Sequence, residues 1–105
     1  MAVTFARPLH PGEFLREEYL VPLGMSAGQL ARALGLPRTR IERIVREEIG
    51  ISTDTALRLA RFFRTSPGFW LNLQQSYEVE TQTPQLAAAL ARITPLRSPS
   101  DSTAA

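Results

Sequence analysis

The stretch SAGQLARALGLPRTRIERIVREEI, Ser26 to Ile49, decides the fold. Ser26 is placed to cap a helix that carries apolar Leu30, Ala31 and Leu34. Gly35 and Leu36 form a turn, and Pro37 sits where a first helical residue belongs. Ile41, Ile44 and Val45 then follow at i, i+3, i+4. Two short helices about a glycine turn are the layout of a helix-turn-helix, whose second helix can lie in the DNA major groove.

On a helical wheel Ile41, Ile44 and Val45 cluster on one side, and Thr39, Arg43 and Arg46 fall opposite. Arg38 lies at the N-terminal tip, which enters the groove first in this motif. Arginine can bond guanine O6 and N7 together, and a threonine methyl can pack on thymine. Arg38, Thr39 and Arg43 are therefore the candidate base readers. Arg40 and Arg46 suit phosphates, as do the backbone N–H groups from Ser26 through Ala27 to Gly28 at the start of the first helix. Glu47, Glu48 and Ile49 follow the second helix; two carboxylates there would repel phosphate, or pair with Arg43 or Arg46 at i, i+4.

Outward from this segment the pattern stays helical. Residues Met1 to His10 read as extended or irregular. A first helix spans roughly Gly12 to Val21, with apolar Phe14, Leu15 and Leu20, and Pro22 and Gly24 end it. Gly50 and Ile51 connect to a helix capped by Ser52, about Thr53 to Phe63, with Ala56, Leu57, Leu59 and Ala60 facing inward. Ser66 caps a further helix with Pro67 at its first position, running through Phe69, Trp70, Leu71, Leu73 and Tyr77 to about Glu80. Pro84 separates an Ala/Leu-rich helix, Gln85 to Ile93. From Thr94 the chain is Pro, Ser, Thr and Ala with little to bury, so a disordered tail over 94–105 is expected. The expected architecture is all-α, a five- to six-helix bundle over residues 1–93.

The chain has 105 residues, 44% of them hydrophobic, which suits one domain with one core. The net charge of +2 is unevenly spread: between Ser26 and Arg64 eight arginines face four acids, leaving +4. A nucleic-acid footprint has this distribution. No run of about 18 apolar residues suggests a membrane span, no secretory signal is evident, and cysteine is absent, so a cytoplasmic protein is expected. The one histidine, His10, reads as a turn or surface residue, and no second His or Cys could join it in a metal site. No phosphate-binding glycine loop or catalytic constellation is present, so no enzyme, cofactor or metal is expected. Helical spacing assigns Phe69 and Trp70 to the core.

Two segments, RPLHPGEFLREEYLVPL (Arg7 to Leu23) and GISTDTALRLARFFRTSPGFWLNL (Gly50 to Leu73), resemble the HigA-type antitoxins, with a Cro/repressor-like helix-turn-helix between them. The resemblance covers Arg7 to Tyr77. It implies a protein that neutralises a RelE-like HigB toxin, an mRNA endonuclease, and that as a homodimer binds palindromic operator DNA to repress its own operon. Carried over by position, the base-reading sites again fall on Arg38, Thr39 and Arg43. Glu48 and Ile49 depart from the polar and basic pair usual there. The resemblance places dimerisation on the C-terminal helices, here Leu86, Leu90 and Ile93; otherwise these residues complete the monomer core. A basic toxin would suit the acidic first helix, with Glu13, Glu17 and Glu18. A stand-alone repressor without a toxin, and an interaction module that has lost DNA binding, are the alternatives.

Overall fold

The computed structural model describes residues 7–97. The expectation for Met1 to His10 is met over residues 7–10, which carry no helix or strand, and 1–6 lie outside the described residues. Of the expected tail, 94–97 are exposed and without regular structure, and the remainder lies outside the described residues. Everything between is helical or a short connection.

Helix α1 is built of three contiguous pieces: α-helical Pro11–Leu15, π-helical Arg16–Leu20 and α-helical Val21–Leu23. His10 caps it in an extended conformation, its Nδ1 accepting the Gly12 N–H at 2.9 Å. Pro22 does not end the helix. A proline lacks an N–H and its ring crowds the carbonyl four residues back. Here the ladder widens just before it, with the Val21 N–H reaching back to Arg16 O, and the helix runs on to Gly24.

Helix α2, Ala27–Leu34, starts in a reciprocal capping box: Gln29 N–H donates to Ser26 Oγ at 3.1 Å, and Ser26 N–H donates to Gln29 Oε1 at 2.8 Å. Gly35 ends it at φ 70°, a left-handed conformation that glycine adopts without steric cost. Helix α3 is Arg38–Val45; Pro37, at ψ 139°, is still extended and is the N-cap rather than the first helical residue. Helix α4, Thr53–Phe63, is capped by Ser52 and closed by Arg64 in the left-handed region. Leu57 does not face inward: it is 53% exposed, and the buried stripe is Thr55, Ala56, Leu59 and Ala60. The helical period carries that stripe past Leu57 and puts Leu57 on the side of Arg61.

Helix α5, Pro67–Gln85, is capped by Ser66 and runs through Pro84 instead of stopping near Glu80. The proline falls in the last turn, where its missing N–H removes one bond while Leu86 N–H still reaches Gln82 O at 2.9 Å. The following helix α6 is therefore only Ala87–Ala91. Among the described residues all regular structure is helical, six helices in order.

The core lies where α1, α2, α3, α4 and α5 meet, around the fully buried Leu15, Leu30, Ile41, Ile44, Leu59 and Trp70. Trp70 satisfies its indole N–H on Thr65 Oγ1 at 2.8 Å, as a buried indole must. Phe14, Tyr19, Phe63 and Phe69 surround it, with ring centroids 5.2–6.2 Å from its own. Trp70 is core and Phe69 is half-buried against it, as their spacing implied.

His10 is the clearest departure. It is buried, 4% exposed, edge-on to Tyr77, rather than a surface residue. Burial lowers its pKa below 6.5, because the imidazolium would lose water and Nδ1 must stay unprotonated to cap α1. The unfolded chain therefore takes up the proton first. Stability from the neutral ring is complete above pH 6.5 and declines as pH falls toward the folded-state pKa. Melting temperature should drop as pH falls below 6.5, and His10→Asn, which keeps an acceptor for Gly12 without titrating, should flatten that drop.

Candidate nucleic-acid interface

Helix α3 owes its position to Ile41 and Ile44, both 0% exposed, which fasten its inner face to the core. Its other face is thereby turned to solvent, and Arg38, Thr39, Arg43 and Arg46 all lie exposed on it. The structure thus brings the three candidate base readers and one candidate phosphate contact onto a single face. Pro37 supplies no side-chain cap, so no side chain of the cap residue covers the first N–H groups of α3.

Arg38 Nε donates to Glu42 Oε2 at 2.7 Å, one turn along the same face. The pair raises the pKa of Arg38 and lowers that of Glu42, each charge favouring the other. Arg43 lies 3.5 Å from Glu48 across the end of the helix. Arg46 makes no ion pair among the described residues. Arg40 is turned away from the others: half-buried, it lies 3.6 Å from Asp54 at the start of α4.

The start of α2 borders the tip of α3. Ser26, Gly28, Gln29, Arg32, Leu36 and Arg38 line an open cleft of about 420 Å³. Ser26 already accepts the Gln29 N–H, and Ala27 beside it is half-buried. Arg32, which the sequence reading did not single out, adds a second cation to this cleft; only its place in the cleft marks it.

Glu47 and Glu48 do not pair at i, i+4. Glu47 occupies the left-handed region at φ 64°, and the two N–H groups of Glu47 and Glu48 bond back to Ile44 O and Arg43 O, each at 2.9 Å. This is a Schellman end, at the position where glycine is usual. The Glu47 side chain turns to α1 and meets Arg16 Nη2 at 3.3 Å, while Arg16 Nη1 donates to Val45 O. Arg16, invisible to local sequence reading because its partners are 29 and 31 residues away, thus brings a cation from α1 to the C-terminal end of α3.

The remaining candidates lie elsewhere. Glu13 is tied into the fold by two bonds from Arg7, at 2.9 and 2.6 Å, which hold its carboxyl below the usual range. Glu17 is exposed beside Arg16 at 2.9 Å, and Glu18 is exposed. Leu86 and Leu90, each 48% exposed, and Ile93, 64% exposed, do not complete the monomer core. Leu86 and Leu90 instead line a groove with Val79, Gln82 and Thr83. Among the described residues there is no cluster of three or more potential metal ligands, and no helix is long and apolar enough to cross a membrane.

Residues 15–70 match the helix-turn-helix family HTH_3. Virulence-associated protein I of Dichelobacter nodosus is 54% identical over 72 residues, 69% of this chain and 67% of that protein. The chain thus spans about two thirds of that relative's length. The solved structure of the Pseudomonas aeruginosa antitoxin HigA with the higBA promoter is similar at TM-score 0.83 and 44% identity, over 87% of this chain and all of that one. An addiction module antidote protein of the HigA family from Coxiella burnetii is similar at TM-score 0.81 and 44% identity, over 86% of this chain and 99% of that one.

Arg16→Ala should destabilise the protein by about 1–2 kcal/mol in urea unfolding, because the end of α3 loses both a nearby cation and a carbonyl partner. Arg16→Lys should recover only part of this, since an ammonium keeps the charge but cannot fork across Val45 and Glu47.

Proposed function

The chain belongs to the helix-turn-helix family and, within it, to the HigA-type antitoxins, and from that membership we propose an operator-binding autorepressor that also neutralises a HigB-like, RelE-like mRNA endonuclease. The observation that carries the DNA-binding half is the outer face of α3, with Arg38, Thr39, Arg43 and Arg46 exposed behind the buried Ile41 and Ile44. Arg38 and Arg43 read guanines through paired N–H groups, and Thr39 packs its methyl on thymine. Arg46 and Arg40 approach phosphates, together with the backbone N–H groups at Ser26 and Ala27. Arg40 must exchange Asp54 for a phosphate to do so, which weakens its share.

Residues up to 93 act as one module that dimerises. The exposed Leu86, Leu90 and Ile93, with the groove beside Val79, supply an apolar surface that a second copy would cover. A two-fold dimer sets two α3 helices about one DNA turn apart, which is what a palindromic operator requires. The toxin contact falls on α1. Glu17, paired with Arg16 but exposed, and Glu18 can meet a basic partner there, whereas Glu13 is mostly covered and held by Arg7.

A gel-shift titration on the DNA upstream of its own gene, against a scrambled duplex of equal length, tests this reading. Selective binding should appear, with log affinity falling by about 0.9 per neutralised phosphate for each unit of log salt. Arg43→Ala should cost about 1–3 kcal/mol on the operator alone, whereas Arg46→Ala should weaken both duplexes and lower the salt slope by about one. Equal affinity of the wild type for both duplexes would exclude operator recognition.

Leu90→Asp should convert the dimer to monomer in sedimentation velocity while leaving the helical signal intact, because Leu90 lies outside the core. Dimers persisting in that variant would move the interface elsewhere. For the toxin, co-expression of the neighbouring reading frame with and without this chain is the direct assay. Charge reversal at Glu17 and Glu18 should weaken the complex, and unchanged affinity would remove α1 from the contact.

A further inference from the structure

Among the arginines on the face of α3, Arg38 is held from two sides. Its Nε donates to Glu42 Oε2 at 2.7 Å. Its aliphatic stem passes over Gly28 at the start of α2, where a Cβ would lie 3.3 Å from Cδ and 3.8 Å from Cγ. The Glu42 side chain is 26% exposed and that of Arg38 is 74% exposed, so a mostly covered anion anchors a mostly free cation.

An arginine has five N–H donors. Glu42 takes the one on Nε, and the four on Nη1 and Nη2 stay at the tip. Two parallel N–H groups at the tip are what guanine O6 and N7 accept. We propose that Glu42 and Gly28 are positioning residues that preset Arg38 for end-on reading of a guanine and keep it from serving as a general phosphate clamp. This rests on Arg38 being a base reader.

Two physical effects act together. A long side chain left free must be ordered when DNA binds, and a preset one has already lost that freedom. The bond to Glu42 also keeps the guanidinium from turning to a phosphate, so a duplex without the guanine gains less from Arg38. Specificity is a difference of affinities, and Glu42 widens that difference by lowering the non-specific side. An exposed pair one helical turn apart adds little to stability, so the pair's consequence lies in recognition.

Glu42 also lies in the field of Arg46, so simple loss of a negative charge is the rival explanation for any effect of removing it. A double-mutant cycle separates the two. Fluorescence-anisotropy titrations of the full chain on its own upstream duplex and on a scrambled duplex give a selectivity ratio for wild type, Glu42→Gln, Arg38→Ala and the double variant. Glu42→Gln should lower the ratio by about two- to tenfold, the range for ordering one long side chain, and mainly by tightening the scrambled complex. The same change in the Arg38→Ala background should leave the ratio where Arg38→Ala put it.

Gly28→Ala gives a second readout, because alanine favours the helix while its methyl crowds the Arg38 stem. Its ratio should fall with no loss of melting temperature, and an unchanged ratio would remove Gly28 from the pair. If Arg38→Ala lowers the ratio and Glu42→Gln does not, the positioning role is wrong while base reading stands. If Arg38→Ala leaves the ratio intact, base reading by Arg38 fails and the inference fails with it. An equal loss from Glu42→Gln in both backgrounds would assign the effect to charge and overturn positioning.

Discussion

Helix α1 meets the end of α3 backbone against backbone, and the rest of the molecule is arranged around that contact. A Cβ on Gly12 would stand 1.7 Å from the carbonyl oxygen of Ile44, a distance no side chain can tolerate. The glycine therefore lets the first turn of α1 sit directly on the last turn of α3. His10, caught at this junction, caps α1 and packs on Tyr77 of α5. One turn later Arg16 reaches Val45 O and Glu47 and closes the end of α3. The segment HPGE has a physical reason at each position: a cap, a first-turn proline, a close approach and an ion pair to Arg7.

The turn in the middle of the motif is held in the same way by a different arginine. Arg58 of α4 donates to Leu34 O at 2.8 Å and to Gly35 O at 3.3 Å, covering the carbonyls that α2 leaves unpaired at its C-terminus. Asp54 holds Arg58 at 3.1 Å and shares itself with Arg40. Two uses of arginine thus stand side by side around the helix-turn-helix. Arg16 and Arg58 fasten helix ends from outside, and Arg38, Arg43 and Arg46 remain on the open face. A guanidinium serves both purposes because its planar fork bridges a carbonyl and a carboxylate as readily as two acceptors on a base. Net positive charge therefore overstates the number of cations available to DNA.

Local signals were readable to within a residue or two. Ser26, Ser52 and Ser66 start their helices, and Gly35 stops α2, because a cap bonds within three residues of itself. The prolines misled where the ladder could adapt: a π turn accommodates Pro22, and Pro84 falls where only one bond is lost. Leu57 misled because an apolar residue beside a buried stripe reads like part of it, although the helical period turns it outward. Of the candidate site, Arg38, Thr39 and Arg43 were legible from the wheel, since their exposure follows from the burial of Ile41 and Ile44.

The sequence by itself determined where the helices begin, which stripe each buries and which face of α3 is left polar, because all of these depend on bonds and spacings within one or two turns. The tertiary structure alone decided which charges are available. Arg16 and Arg58 find their carbonyl partners 29 and 24 residues away, Glu47 turns to α1 rather than to its own helix, and His10 is buried by α5. A long flexible side chain has several partners within its reach, and only the packing of the helices settles which of them it meets.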